Sequence, residues 1–253
     1  MLFLHFAAVV IGFTSAAANA FPLGASPQLT ELASLLSAYK NQKITGCDLS
    51  GAVMPETNGT KNLSPPDAGT SLARVVLGRG VQNYTCADSL STTIPAANGA
   101  VATLYDASCL AACNPTLLHT LPDIMVNLPK DTIAESLSIV TRMTRQPIMV
   151  GHHYFAPNNT IPVFDFRVQR SDKYLLAGQR DEGVPAVTTA SKGEMGVGYG
   201  AVDWLRIKAI PDMSVDYKLA YRILTAGGKP PATCQGMAKE FSVEYATEYW
   251  IYA

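Results

Sequence analysis

The sequence carries little charge and almost no charge imbalance: 15% of its 253 residues are Asp, Glu, Lys or Arg, with 19 basic against 20 acidic. Without a basic surplus to neutralise phosphates, nucleic acid is excluded as a main partner. The near-zero net charge comes with 48% hydrophobic residues, a combination that excludes a disordered chain. No apolar run reaches the roughly 20 residues that a membrane-spanning helix needs. His-Glu-x-x-His, Gly-x-Ser-x-Gly and a complete Gly-x-Gly-x-x-Gly are all missing. The sequence therefore lacks the zincin, nucleophile-elbow and dinucleotide signatures.

Charge is missing most conspicuously at the start. The first twenty residues hold no Asp, Glu, Lys or Arg, and Leu2 to Phe13 is apolar apart from His5 and Gly12. Small residues follow, ending Ala18-Asn19-Ala20. An apolar core before a small-x-small site predicts a signal peptide over residues 1–20 and a secreted product. All five cysteines (Cys47, Cys86, Cys109, Cys113, Cys234) lie beyond that site. In an oxidising compartment they should pair, leaving one over, although spacing alone does not give the connectivity. Asn58, Asn62, Asn83 and Asn158 stand in Asn-x-Ser/Thr triplets, the acceptor pattern for N-glycosylation of an exported protein.

Leu29, Leu32, Leu35 and Leu36 repeat at helical spacing after Ser26, which predicts a helix over Pro27–Lys40. Gly46–Gly69 is polar and rich in Gly, Pro, Asn and Ser, and reads as a surface arm. Residues 21–71 thus form a helix and arm ahead of a single β domain over 72–253. In that domain the period changes to two. Strands are predicted at Arg74–Leu77 and Val81–Cys86, broken at Gly78-Arg79-Gly80, and at Ala100–Asp106 after the turn signal Asn98-Gly99. Pro115–Leu121 fits one or two helical turns, and Asp131–Met143 is ambiguous between helix and strand. Further strands are predicted at Ile148–Phe155, Ile161–Val168, Tyr174–Gln179, Val202–Ile210 and Lys218–Thr225. In the last strand Phe241, Val243, Tyr245, Tyr249 and Ile251 share one face, with Ser242, Glu244 and Glu248 on a wet one. The expected fold is mostly β: an antiparallel sandwich or barrel of about eight to ten strands with a few short helices.

Three segments carry a resemblance: Leu77-Gly78-Arg79-Gly80-Val81-Gln82-Asn83-Tyr84-Thr85-Cys86, Gly99 to Cys109, and Gly151-His152-His153-Tyr154-Phe155. With Tyr221 to Cys234 and the aromatic C-terminus, they resemble a domain-of-unknown-function family of secreted fungal and bacterial proteins. Its fungal members are often labelled "malate dehydrogenase". The resemblance covers roughly Leu72 to the end. It implies an exported β domain, a fungal source, pairing of Cys86 with Cys234 and then Cys47 with Cys109, and a free Cys113. It supplies no catalytic residues. The dehydrogenase label conflicts with the residues: Gly78-Arg79-Gly80 is followed by Asn83, and Gly196-x-Gly198-x-Gly200 has the wrong spacing. No cofactor and no metal site is expected.

The weak catalytic candidates are His153, Asp106, Asp165 and Asp203. His152 and His153 are adjacent on a strand and point to opposite faces, so they are poorly placed to grip one ion. His119 sits among leucines and reads as a satisfied, partly buried side chain. Asp106 and Asp203 fit strand-end carboxylates bonded to loop amides. Trp204, Trp250 and the tyrosines could line a sugar platform or pack the core. With no motif in catalytic context, the favoured reading is a secreted, non-catalytic protein that binds an extracellular ligand such as cell-wall carbohydrate. The alternative is a secreted hydrolase or lyase using a His/Asp site.

Overall fold

The computed structural model describes residues 45–253 except 57–60, 157–159, 169–173 and 197. The expected leader, the Pro27–Lys40 helix, Asn58 and Asn158 lie outside the described residues.

Eight strands follow one another: β1 (Leu72–Thr85), β2 (Ala96–Asp106), β3 (Met149–Ala156), β4 (Ile161–Asp165), β5 (Leu175–Val184), β6 (Trp204–Ala209), β7 (Leu219–Gly227) and β8 (Glu240–Tyr252). Each pairs antiparallel with the next, and β8 closes back on β1. The fold is a closed up-and-down barrel rather than a sandwich, and closure leaves no sheet edge. Four helices fill the β2–β3 connection: α1 (Ser108–Cys113), α2 (Pro115–Leu118), α3 (Leu121–Val126) and α4 (Lys130–Thr144). The ambiguous Asp131–Met143 segment is thus helical.

Glycine explains how the interior closes. The inner face of β1 runs Val76, Gly78, Gly80, opposite Tyr249, Thr247 and Tyr245 of β8. A Cβ on Gly78 would sit 2.5 Å from the Tyr249 ring, and one on Gly80 would sit 1.9 Å from the Val101 carbonyl oxygen. The glycines that looked like a break in β1 therefore lie inside a continuous strand, where they admit neighbouring rings and backbone. Asn98-Gly99 is likewise absorbed into β2, with Gly99 at φ 82°.

The barrel has two buried layers. Inside, Val76, Leu104, Phe164, Phe166, Leu176, Ile207, Ala220, Tyr249 and Ile251 form the core. Outside, α3 packs on β7, β8 and β1 and buries Leu121, Ile124, Met125 and Val126. This covered outer wall corrects the expected wet face of β8: Glu248 is fully buried there beside Ala246 and Trp250. It also explains β7, whose apolar Leu219, Tyr221 and Ile223 face outward while Ala220 and Arg222 face in.

Two buried arginines hold the outer layer. The Arg79 guanidinium donates from Nε to the Met125 carbonyl (2.8 Å) and from Nη2 to the Leu128 carbonyl (3.0 Å), and it pairs with Glu244. These carbonyls lie at and just beyond the C-terminal end of α3, where a cation suits the helix dipole. Arg206 on β6 pairs with Asp181 and reaches Asp67 of the arm at 2.5 Å. The arm's Ser64 donates its N–H to Glu182 and accepts from the Tyr221 hydroxyl. Disulfides join Cys86 to Cys234 and Cys47 to Cys109, the pairs implied by the resemblance, and Cys113 is free and exposed.

Candidate functional site

The two ends of the barrel are built differently. At one end the inner face is sealed: Val76, Ile251, Leu176 and Phe166 are buried, and Tyr217 packs edge-on against Phe166. Arg74 lies over the Phe166 ring at 4.9 Å, closing that mouth with a cation–π contact. At the other end the inner-face residues Phe155, Leu205, Arg222 and Gln82 are only half-buried, and Arg180 is exposed. Solvent therefore reaches the inner wall at this end. An eight-stranded barrel is just wide enough to fill with side chains or to hold one small ligand.

The floor of the open end is aromatic. His153 on β3 faces inward and stacks on Phe164, with centroids 4.4 Å apart and planes at 16°. Its Nδ1 donates to the Val163 carbonyl at 2.8 Å. Full burial first, and the Arg222 charge behind it, hold the imidazole near pKa 4 despite that hydrogen bond. The ring is therefore neutral at physiological pH. Tyr249 lies against the same ring, and its hydroxyl is 3.1 Å from that of Tyr245. Burial pushes both phenols up, Tyr245 furthest.

Above this floor stand the polar groups of the wall. Arg222 donates from Nε and Nη2 to the carbonyl oxygen of Asp203, at 3.1 and 2.9 Å. The Gln82 Nε2 is buried without a hydrogen-bond partner. The Tyr84 hydroxyl donates to the Gly228 carbonyl at 2.7 Å, and burial raises its pKa to about 12. Arg180 faces inward with Leu176 and Gly178, by the regular alternation of β5. The register between β5 and β6 slips between Arg180 and Glu182, so Asp181 and Glu182 both turn outward, to Arg206 and the arm. The Arg180 guanidinium then lies over Gly183, where a Cβ would fall 2.1 Å from Nη2.

The four candidate residues from the sequence do not come together. Asp106 ends β2 at the sealed end, where Oδ1 accepts the Ser108 N–H and starts α1. Asp165 ends β4 at the same end but faces out, held by the Arg167 guanidinium and the Tyr154 hydroxyl. These contacts, the arginine's hydrogen bonds foremost, lower its pKa to about 2. Asp203 lies at the open end, and only its main-chain carbonyl engages Arg222. His153 sits inside the barrel, between the two ends. Gly78-Arg79-Gly80 lies within a strand rather than before a helix, so it forms no pyrophosphate turn. Among the described residues no cluster of three or more His, Cys, Asp or Glu could hold a metal ion. Trp204 and Trp250 are fully buried, which removes them as a displayed sugar platform.

Sequence reading missed three features. One is Glu248, whose carboxylate accepts from Trp250 Nε1 (2.9 Å) and pairs with His119 Nδ1 (2.9 Å). Its covered position was signalled by Ala246, Trp250 and Tyr252 on the same face. The second is the inward pair Arg180 and Arg222. The third is a groove of about 460 Å3 on the outer wall, between Ala134, Leu137 and Thr141 of α4 and Tyr105, Met149 and His152 of β2 and β3. His152 thus faces the groove while His153 faces the barrel interior.

No curated protein and no solved structure matches the chain. A family model described as a protein of unknown function, DUF3455, matches residues 66–253. That span takes in every strand and helix of the barrel, and the chain belongs to this family.

Proposed function

We propose that this is a secreted, non-catalytic binding protein that takes a small ligand into the open end of its barrel. One observation carries the reading: the same inner wall is sealed at one mouth and solvent-reached at the other, where polar groups converge on an aromatic floor. Few polar groups against an apolar surface is the usual make-up of a small-molecule site. Export is supported by the uncharged apolar leader and by two disulfides, which persist in oxidising compartments. No helix among the described residues is long and apolar enough to cross a membrane.

A hydrolase or lyase would need a general acid or base. His153 is the inward candidate, but its Nδ1 is committed to a carbonyl, its pKa is held near 4, and none of the three candidate aspartates bonds to it. A wall polysaccharide would need an exposed aromatic surface, and both tryptophans are buried. The open end favours a small molecule instead.

Expression of the full chain in a secreting host tests the proposal. The expected product starts at Phe21, appears in the medium with two disulfides, and retains a small ligand in native mass spectrometry. A Leu205→Trp variant, which fills the open end, should lose that ligand. Retention inside cells with all thiols reduced would contradict export. Ligand occupancy unchanged by Leu205→Trp would contradict the site.

A further inference from the structure

The inner wall at the open end carries two arginines, and among the described residues neither has an ion pair. Leu205 of β6 lies opposite Gly183 on one side and Arg222 on the other. The Arg180 guanidinium rests over Gly183, whose backbone is about 10 Å, two strand spacings, from that of Arg222, so the two cations flank Leu205. Arg222 spends Nε and Nη2 on the Asp203 carbonyl, which fixes the guanidinium plane and leaves Nη1 over. Arg180 makes no hydrogen bond or ion pair with the described residues.

Among the described residues no acid forms an ion pair with either cation. Asp181 and Glu182 turn outward at the bulge, and Asp203, whose charge is felt with that of Arg222 at the Tyr84 hydroxyl, bonds Arg222 through its carbonyl and forms no ion pair with it. The other inward arginine, Arg74, is far along the barrel and stacked on Phe166. His153 is neutral, and the tyrosines facing Arg222 stay protonated. The planar guanidinium fork matches an oxyanion, and Arg222 is already held in one orientation. Phe155 and Leu205 add an apolar surface beside the two cations.

Taking the open end as the binding site proposed above, we infer that its ligand is a small organic oxyanion. Its carboxylate or phosphate meets Arg222 and Arg180, and its apolar body lies against Phe155 and Leu205. Arg222 is the pre-oriented partner and Arg180 the exposed one. The two sources of the oxyanion differ in charge and in how many oxygens they present, so they can be told apart by titration.

The test titrates the secreted, disulfide-bonded protein at low salt with benzoate, phenyl phosphate and neutral benzamide, followed by backbone amide shifts. At least one anion should bind about tenfold or more tightly than benzamide, the loss expected when a charge-assisted hydrogen bond is removed. Arg180→Gln should weaken that anion about tenfold and leave benzamide unchanged. Arg180 is exposed and bonds to none of the described residues, so this variant should keep the fold intact. Arg222→Gln should weaken it at least as much, and Arg222→Lys less. Equal binding of the anions and benzamide, or full anion affinity in Arg180→Gln and Arg222→Gln, would overturn the inference while leaving a neutral ligand site at the open end. Shifts confined to Thr103, Leu137 and His152 would overturn it by placing the anion in the outer groove.

Discussion

The sealed and open ends of the barrel are made from the same strands and differ in what their inner faces carry. On β5, Leu176 is fully buried at one end, and four residues along the same face Arg180 is exposed. On β6, Ile207 is buried and Leu205 is half-buried. Close packing and solvent access are thus divided along single strands: aliphatic and aromatic packing on one side of His153, and arginines and a bulge on the other. A barrel packed evenly along its length would have no room for a ligand, and one open throughout would have no core.

The largest effects should follow the sealed end. Leu176→Ala removes a fully buried side chain and should cost about 2–5 kcal/mol. Leu205→Ala, the same change on the same inner wall, should cost well under half as much, because water already reaches the site. Urea unfolding of the two variants reads the difference, and equal losses would break the comparison.

The Cys86–Cys234 disulfide fastens the chain at the open end, where packing is thinner. Replacing both cysteines with alanine should lower stability by about 2–4 kcal/mol, measured by thermal unfolding of the disulfide-bonded protein. A negligible loss would mean that the open end is held by its packing after all.

His153 marks the boundary, and its titration reports how dry that boundary is. Its pKa is lowered from 6.5 to about 4 in the folded protein. The unfolded chain therefore binds the proton more readily between those values. Stability is full above about pH 6.5 and falls as the pH drops towards 4, by on the order of 3 kcal/mol once both states are protonated. His153→Phe should flatten this slope. Asp165 titrates lower still, between 3.8 and about 2, so its own acid loss is separable. An unchanged slope in His153→Phe would place the imidazole in contact with water.

The smallest effect belongs to Arg180. Arg180→Gln should change stability by no more than about 0.5 kcal/mol, as for surface sites away from any buried network. A larger loss would make this arginine part of the scaffold.

Much of the barrel was legible in the sequence because one face of most strands is apolar. The alternation of β8 put Val243, Tyr245, Tyr249 and Ile251 on the correct inner face. It failed where the outer wall is covered. Under α3 and the arm, apolar no longer means inward, so Glu248 was read as wet and the apolar stripe of β7 carried no sign that it faces out. Glycine at 78 and 80 was read as a break because the sequence does not show the Tyr249 ring and the Val101 carbonyl that take the missing side-chain space. The site was less legible. His153 and Asp203 could be flagged by residue type, but their separation along the barrel could not. An arginine on a strand reads as a solvated charge, and the bulge that follows Arg180 leaves only the consecutive acids Asp181 and Glu182 as its trace.

The most direct test of a barrel sealed at one end and open at the other is thiol labelling along β5. In a Cys113→Ser background, Arg180→Cys should react with a maleimide within minutes in the folded protein, while Leu176→Cys, on the same inner face, should react only on unfolding. Equal protection of the two thiols, or rapid labelling of both, would contradict the account.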